Sequence, residues 1–134
     1  MSLGPGNSAV FPLGTLGNIA AAAVGQGAPT PISASGAINP HQSGLYYITK
    51  AGVAAMTLAA PTPGADDNVI IEVISTTAHA HTITTPAAGD IQDGNTSGFD
   101  TVMTFNAEKG ANCKLRAYQG VWYVEQEVGC ALSS

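Results

Sequence analysis

The sequence predicts an all-β domain: an antiparallel β-sandwich or β-barrel with an extended N-terminal arm. Three observations predict it. Short apolar or alternating runs recur after residue 31, each closed by Gly, Pro, Asn or Asp. No helix-length periodic segment separates them. The stretch CKLRAYQGVWYVEQE, residues 113–127, reads as two strands around a Gln-Gly turn.

Residues 1–31 form the expected arm and residues 32–134 the β domain. The arm mixes Gly, Pro and Ala with scattered apolar residues, and the first charge of the chain is Lys50. Residues 17–25 suit one or two helical turns, with Asn18 as N-cap and Gly25 as stop. The arm is neutral and apolar enough to lie along a partner, and Val10, Phe11, Leu13, Leu16 and Ile19 are its expected contacts.

Strands follow in order. PISASGAI is a weak first strand. Residues 45–49 are a second, and residues 55–59, ended by two prolines, a third. Residues 68–75 are apolar on both faces, broken by Glu72, which suits a central strand. Residues 81–85 and 101–107 follow, and GDIQDGNTSGFD, residues 89–100, lies between them as a polar exposed tip. In the hairpin, Tyr118 opposite Val121 sets Ala117 against Trp122, Leu115 against Val124 and Cys113 against Gln126 on one face. On the other, Arg116 meets Tyr123 and Lys114 meets Glu125. Residues 128–132 offer a last strand. No repeat of solenoid type is evident.

Charge limits the function classes. The net charge is −5 with four Lys and Arg, too few cations to displace phosphate counterions or hold an anionic bilayer. Nucleic acid and membrane are therefore not expected as partners. The apolar run at residues 19–24 is too short to span a bilayer, and no positive region precedes it as in a signal peptide. The two cysteines are expected as free thiols, because the register places Lys109 rather than Cys113 opposite Cys130. Only 10% of residues are charged, so the neutral surface invites another protein to cover it.

Chemistry is sparse. His79 and His81 form an H-x-H that shares a strand face, where His41 or an Asp could serve as third metal ligand, but no further ligand spacing accompanies them. Structural histidines bonded to backbone or Thr hydroxyls are the plainer reading. Asp90, Asp93 and Asp100 sit in the 89–100 loop without the EF-hand spacing and serve as turn residues. Asp66 and Asp67 are adjacent and read as keeping a turn solvated. No G-x-S-x-G and no phosphate-binding Gly loop occur. No catalytic residue, metal or cofactor is expected, and the chain does not read as an enzyme. Tyr46–Tyr47 and Trp122–Tyr123 are adjacent aromatic pairs, so one ring of each points inward. Tyr47 and Tyr123, with Arg116, are left to meet a partner.

The succession LAAPTPGADDNVIIEVISTTAHAHTITTP, followed by FNAEKGANCKLRAYQGVWYV, resembles small β domains of tailed-bacteriophage virion proteins, found as capsid decoration (cement) proteins and in head or tail fibres. The resemblance covers roughly residues 45–128. It implies a structural protein without catalytic residues, folded in the host bacterial cytoplasm and seated on the outer capsid surface of the virion. It also implies a homotrimer whose partner is the major capsid protein. The alternative within the resemblance is a fibre or adhesin module that binds a host surface glycan through the 89–100 loop or the exposed aromatics.

Overall fold

The computed structural model describes residues 28–95 and 100–134. Among them there is no helix, and eleven strands form two sheets. They are β1 (Thr30–Ile32), β2 (Gly36–Ile38), β3 (Gly44–Ile48), β4 (Ala55–Leu58), β5 (Ile70–Ser75), β6 (Thr82–Thr84), β7 (Ile91–Gln92), β8 (Val102–Phe105), β9 (Asn112–Tyr118), β10 (Val121–Val128) and β11 (Cys130–Ser133). The first sheet has the order β1-β3-β5-β9-β10-β7 and the second β11-β8-β6-β4-β2. The all-β class holds. The two sheets remain separate, so the sandwich and not the closed barrel describes them. They are mixed rather than antiparallel.

The mixture has a simple origin. From β1 to β6 the chain alternates between sheets, and every return is parallel: β1, β3 and β5 lie side by side in one sheet, β2, β4 and β6 in the other. Three coils of a two-sheet stack result, a solenoid-like half that the sequence does not announce. Its intervals are unequal, since Gly36 lies beside Met56 and Met56 beside Ile83, while Thr30 lies beside Tyr46 and Tyr46 beside Val73. The second half closes the sandwich with antiparallel β9 and β10 against β5, and β8 and β11 against β6.

Side chains stitch the coils where the backbone turns. The Ser35 hydroxyl accepts from Ala55 N–H and the Ser43 hydroxyl from Ile70 N–H, both at 2.9 Å, so each loop serine satisfies a donor at the start of the next layer's strand. PISASGAI, expected as one strand, is two. Its SAS turn, residues 33–35, carries the chain from one sheet to the other.

Alternation places the core. Ile48, Ile71, Val73, Leu115 and Trp122 from the first sheet meet Met56, Leu58, Ile83, Met103 and Phe105 from the second, all fully or almost fully buried. Trp122 also donates from Nε1 to the Ala59 carbonyl at 2.9 Å, so its one polar side-chain atom is satisfied. The 89–100 stretch is more than a solvated tip. Ile91 is buried in β7, beside Trp122, and Asp100 is nearly so.

The hairpin register holds from Tyr118–Val121 to Leu115–Val124. Gln119 and Gly120 both have positive φ, 48° and 85°, as a two-residue turn of the primed type requires. Beyond Val124 a bulge shifts the pairing, so Lys114 faces Gln126 and Cys113 faces Glu127. Lys114 therefore does not sit opposite Glu125. Cys130 lies in the second sheet opposite Phe105, not beside Lys109, and both cysteines are free thiols.

Candidate interaction surface

The sandwich has two outer faces, and cross-strand register determines what each displays. On the second sheet one row runs Ala37, Thr57, Thr84, Val102, Ser133, and the next Ala55, Thr82, Thr104, Ala131. These side chains are small and uncharged.

The first sheet is different. One row runs Pro31, Tyr47, Ile74, Asn112, Val128. The next runs Leu45, Glu72, Lys114, Gln126, and the third Ile70, Arg116, Tyr123, Gln92. Leu45, Tyr47, Ile70 and Ile74 are half-buried on β3 and β5, and Tyr118, Tyr123 and Val128 are exposed on β9 and β10. A solvated sandwich face normally alternates polar-out. Here β5 turns Ile70 and Ile74 outward on either side of Glu72. Large apolar and aromatic side chains interleaved with a few charges are the composition of protein–protein interfaces.

The expected contact residues are only partly brought together. Arg116 and Tyr123 are direct cross-strand neighbours. Tyr47 shares their face but stands on β3, two strands from β9 and in another row. Val10, Phe11, Leu13, Leu16 and Ile19, and the helical turns expected at 17–25, lie outside the described residues. Strand β1 begins at Thr30, inside the stretch assigned to the arm.

Arg116 is held. Its Nε donates to Glu125 Oε2 at 2.6 Å and its Nη2 to Oε1 at 3.4 Å. Glu125, which the bulge leaves without a direct cross-strand partner, lies diagonally across from Arg116, and Arg116 keeps its carboxyl below the usual range. Glu125 thus orients the guanidinium, on the residue directly across from Tyr123, of which 46% is exposed. At the far edge, burial raises the Tyr46 hydroxyl, and that ring packs toward the core while Tyr47 points out.

The sequence missed the acidic turn that props the hairpin tip. Asp67 accepts from Gln119 N–H and Gln119 Nε2, both at 2.8 Å, and from Gly64 N–H at 3.1 Å. These donors, first the Gln119 backbone, hold its carboxyl low. Asp66 turns the other way and is buried. It accepts from Thr62 N–H and bonds His41 Nδ1, each at 2.7 Å, with its carboxyl also held low, chiefly by the Thr62 backbone. The pair builds the turn rather than merely solvating it. The signal was the adjacency of Asp-Asp and Asn before a strong strand, a turn-building composition.

The H-x-H does not offer a ligand pair. His81 is fully buried, and its Nδ1 accepts from Ala54 N–H at 3.0 Å. That fixes the proton on Nε2, which donates to the Thr77 hydroxyl at 2.9 Å. Burial lowers its pKa and keeps it neutral. His79 lies edge-on to it with centroids 6.0 Å apart. Among the described residues no group of three or more His, Cys, Asp or Glu is placed to hold a metal.

The inner side of the bulge carries a half-buried acid. Glu127 faces the same way as Cys113, and its Oε2 is buried without a hydrogen-bond partner. Burial, with Asp93 nearby, pushes its carboxyl above the usual range. Burial also raises the Cys113 thiol, and pushes Cys130, which donates to the Asn112 carbonyl, up to about 12. Neither thiol is an activated nucleophile at neutral pH.

Compared with known families and with characterised proteins, the chain matches no family model and has no significant match to an individual protein.

Proposed function

We propose that the chain is a structural protein of a phage virion, a capsid decoration protein that binds the outside of the assembled head and stabilises it. The observation that carries this reading is the outer face of the first sheet, where Leu45, Tyr47, Ile70, Ile74 and Tyr123 stand on a rigid sandwich among few charges. The resemblance of residues 45–128 to virion β domains gives that face its partner, the major capsid protein, and a homotrimer as the bound form. The work is mass action: a protein that binds the lattice and not the dispersed subunit shifts the assembly equilibrium toward the shell. Apolar area removed from water supplies the affinity, at roughly 25 cal/mol per Å² less the costs of association.

The test is co-sedimentation of the purified chain with assembled heads and with dispersed capsid subunits. Binding to heads alone is expected, and Tyr47→Glu weakens it at least about 10-fold, the size of a modest hot spot, with the far-UV spectrum unchanged. Equal binding to dispersed subunits, or Tyr47→Glu binding as tightly as the parent, sinks the proposal. Retention on host envelope glycan instead of heads replaces it with the fibre reading.

A further inference from the structure

The Ser35 and Ser43 hydroxyls stitch neighbouring coils by accepting from Ala55 and Ile70 N–H. His81 makes a further stitch of the same kind, its Nδ1 accepting from Ala54 N–H at 3.0 Å. These bonds do the same structural work, but of these acceptors only the imidazole takes a proton near neutral pH.

The ring is 0% exposed and lies between two connectors, residues 49–54 from β3 to β4 and residues 76–81 from β5 to β6. Its Nε2 donates to the Thr77 hydroxyl at 2.9 Å, and Phe105 of β8 meets it edge-on with centroids 6.4 Å apart. One nitrogen thus accepts and the other donates, which only the neutral ring can do. The titratable groups that act on it are His79, on its own connector, and Lys50, on the other. Both are neutral or positive. Ala54 and Phe105, which meet it from the entry to β4 and from β8, do not ionise. A charge on the ring therefore finds no carboxylate among these neighbours to offset it.

A proton on Nδ1 sets two N–H donors against each other across what is now an accepting bond, in a site without access to water. The Ala54 carbonyl accepts from Thr82 N–H at 3.0 Å, so the same opening loosens the entry of β4 against β6. Other ties at this end do not titrate. The Ile48 carbonyl accepts from Thr76 N–H at 3.0 Å and from the Thr76 hydroxyl at 2.7 Å, and the Ile32 carbonyl accepts from Thr49 and Lys50 N–H at 2.9 and 3.2 Å.

We propose that His81 is an acid-released latch: protonated at Nδ1, it lets go of Ala54 and frees residues 51–54 from the 76–81 connector while both sheets stay folded. Burial lowers the folded pKa below 6.5, so release comes as pH falls below that value. The latch is a property of the chain alone and does not rest on the capsid reading.

Amide hydrogen exchange of the full chain, corrected for the intrinsic effect of pH, tests it at about pH 7 and pH 5, on either side of the ordinary imidazole value. Ala54 is expected to exchange through a local opening that is insensitive to dilute urea and at least about 3-fold more populated at the lower pH. Ile70, held by Ser43, is expected to exchange only through the urea-sensitive global opening. His81→Asn keeps a carbonyl acceptor that takes no proton in this range, and is expected to leave Ala54 equally protected at both pH values. Protection of Ala54 that does not fall with pH, or that matches Ile70 in size and urea response, overturns the proposal, as does a fall in His81→Asn as large as in the parent. Should His81→Asn fail to fold, the two readouts of the parent chain decide alone.

Discussion

At the scale of single residues, position in the sheet decides chemistry more than residue type does. Arg116 and Glu127 lie on neighbouring strands, yet one is neutralised at the surface by Glu125 and the other is turned inward. Glu127 allows a signed prediction. Its folded pKa is raised above 4.5, so the folded state holds the proton more tightly than the unfolded chain. Stability is therefore lost as pH rises from about 4.5 through the folded value. Glu127→Gln removes that loss: the variant is expected to be more stable than the parent at pH 7, with the gap closing by pH 4, in urea titrations at the two pH values. A constant gap would mean that packing, not ionisation, sets the difference. His81 has the opposite signature, since its pKa is lowered below 6.5 and its contribution falls away as pH drops below that value. These environments were not legible in the sequence. His81 could be read as a structural histidine, but its partner Ala54 is 27 positions away and only the coil geometry brings them together.

At the scale of elements, the hairpin was the most legible part, because a Gln-Gly turn and a Trp that must be buried leave one register. The bulge after Val124 was not legible. In Val124-Glu125-Gln126-Glu127-Val128 no large apolar side chain marks the inner face, so the alternation that fixes register elsewhere is silent. The parallel returns were hidden for a related reason. A short strand of alternating residues looks the same whether its neighbour runs with it or against it, and only the connection tells. Strand β3 carries a prediction of its own. A Cβ on Gly44 would stand 3.0 Å from the Tyr46 ring, which lines a cavity of about 310 Å³ with Ile32, Ile38 and Met56. Gly44→Ala is expected to destabilise by about 1 kcal/mol from this overpacking. Adding Tyr46→Leu should recover the part of the loss due to that contact, which a double-mutant cycle in denaturant would measure. Additive losses would show that the ring is not the obstacle.

At the scale of the whole molecule, the alternation of β1 to β6 between sheets makes the two sheets interdependent. Neither half-sandwich is a contiguous piece of chain, and Trp122 in one sheet is hydrogen-bonded to Ala59, just past the end of β4 in the other. Unfolding is expected as a single transition, with far-UV circular dichroism and Trp122 fluorescence coinciding in urea. Separate midpoints would mean that the coil stack and its antiparallel closure come apart independently. The all-β class and most strand positions could be read from composition and turn residues. The division into two faces, one of small residues and one of large apolar ones, could be read only in part, because it depends on which strands are neighbours.

The coil stack also bears on how such a chain could change length. Each turn of β1 to β6 adds one strand to each sheet, and β1 to β4 pair only with strands of the turns beside them among the described residues, while the connectors already differ in span, five residues from β2 to β3 against eleven, 59–69, from β4 to β5. A duplicated turn inserted between β4 and β5 would widen both sheets together and leave β7 to β11 with their present strand pairings, provided the connector that holds Trp122 and Gln119 stays joined to β5. The molecule is thus a fixed antiparallel clasp on an extensible spool, and variation in size among chains of this architecture would be expected in whole turns rather than in single strands.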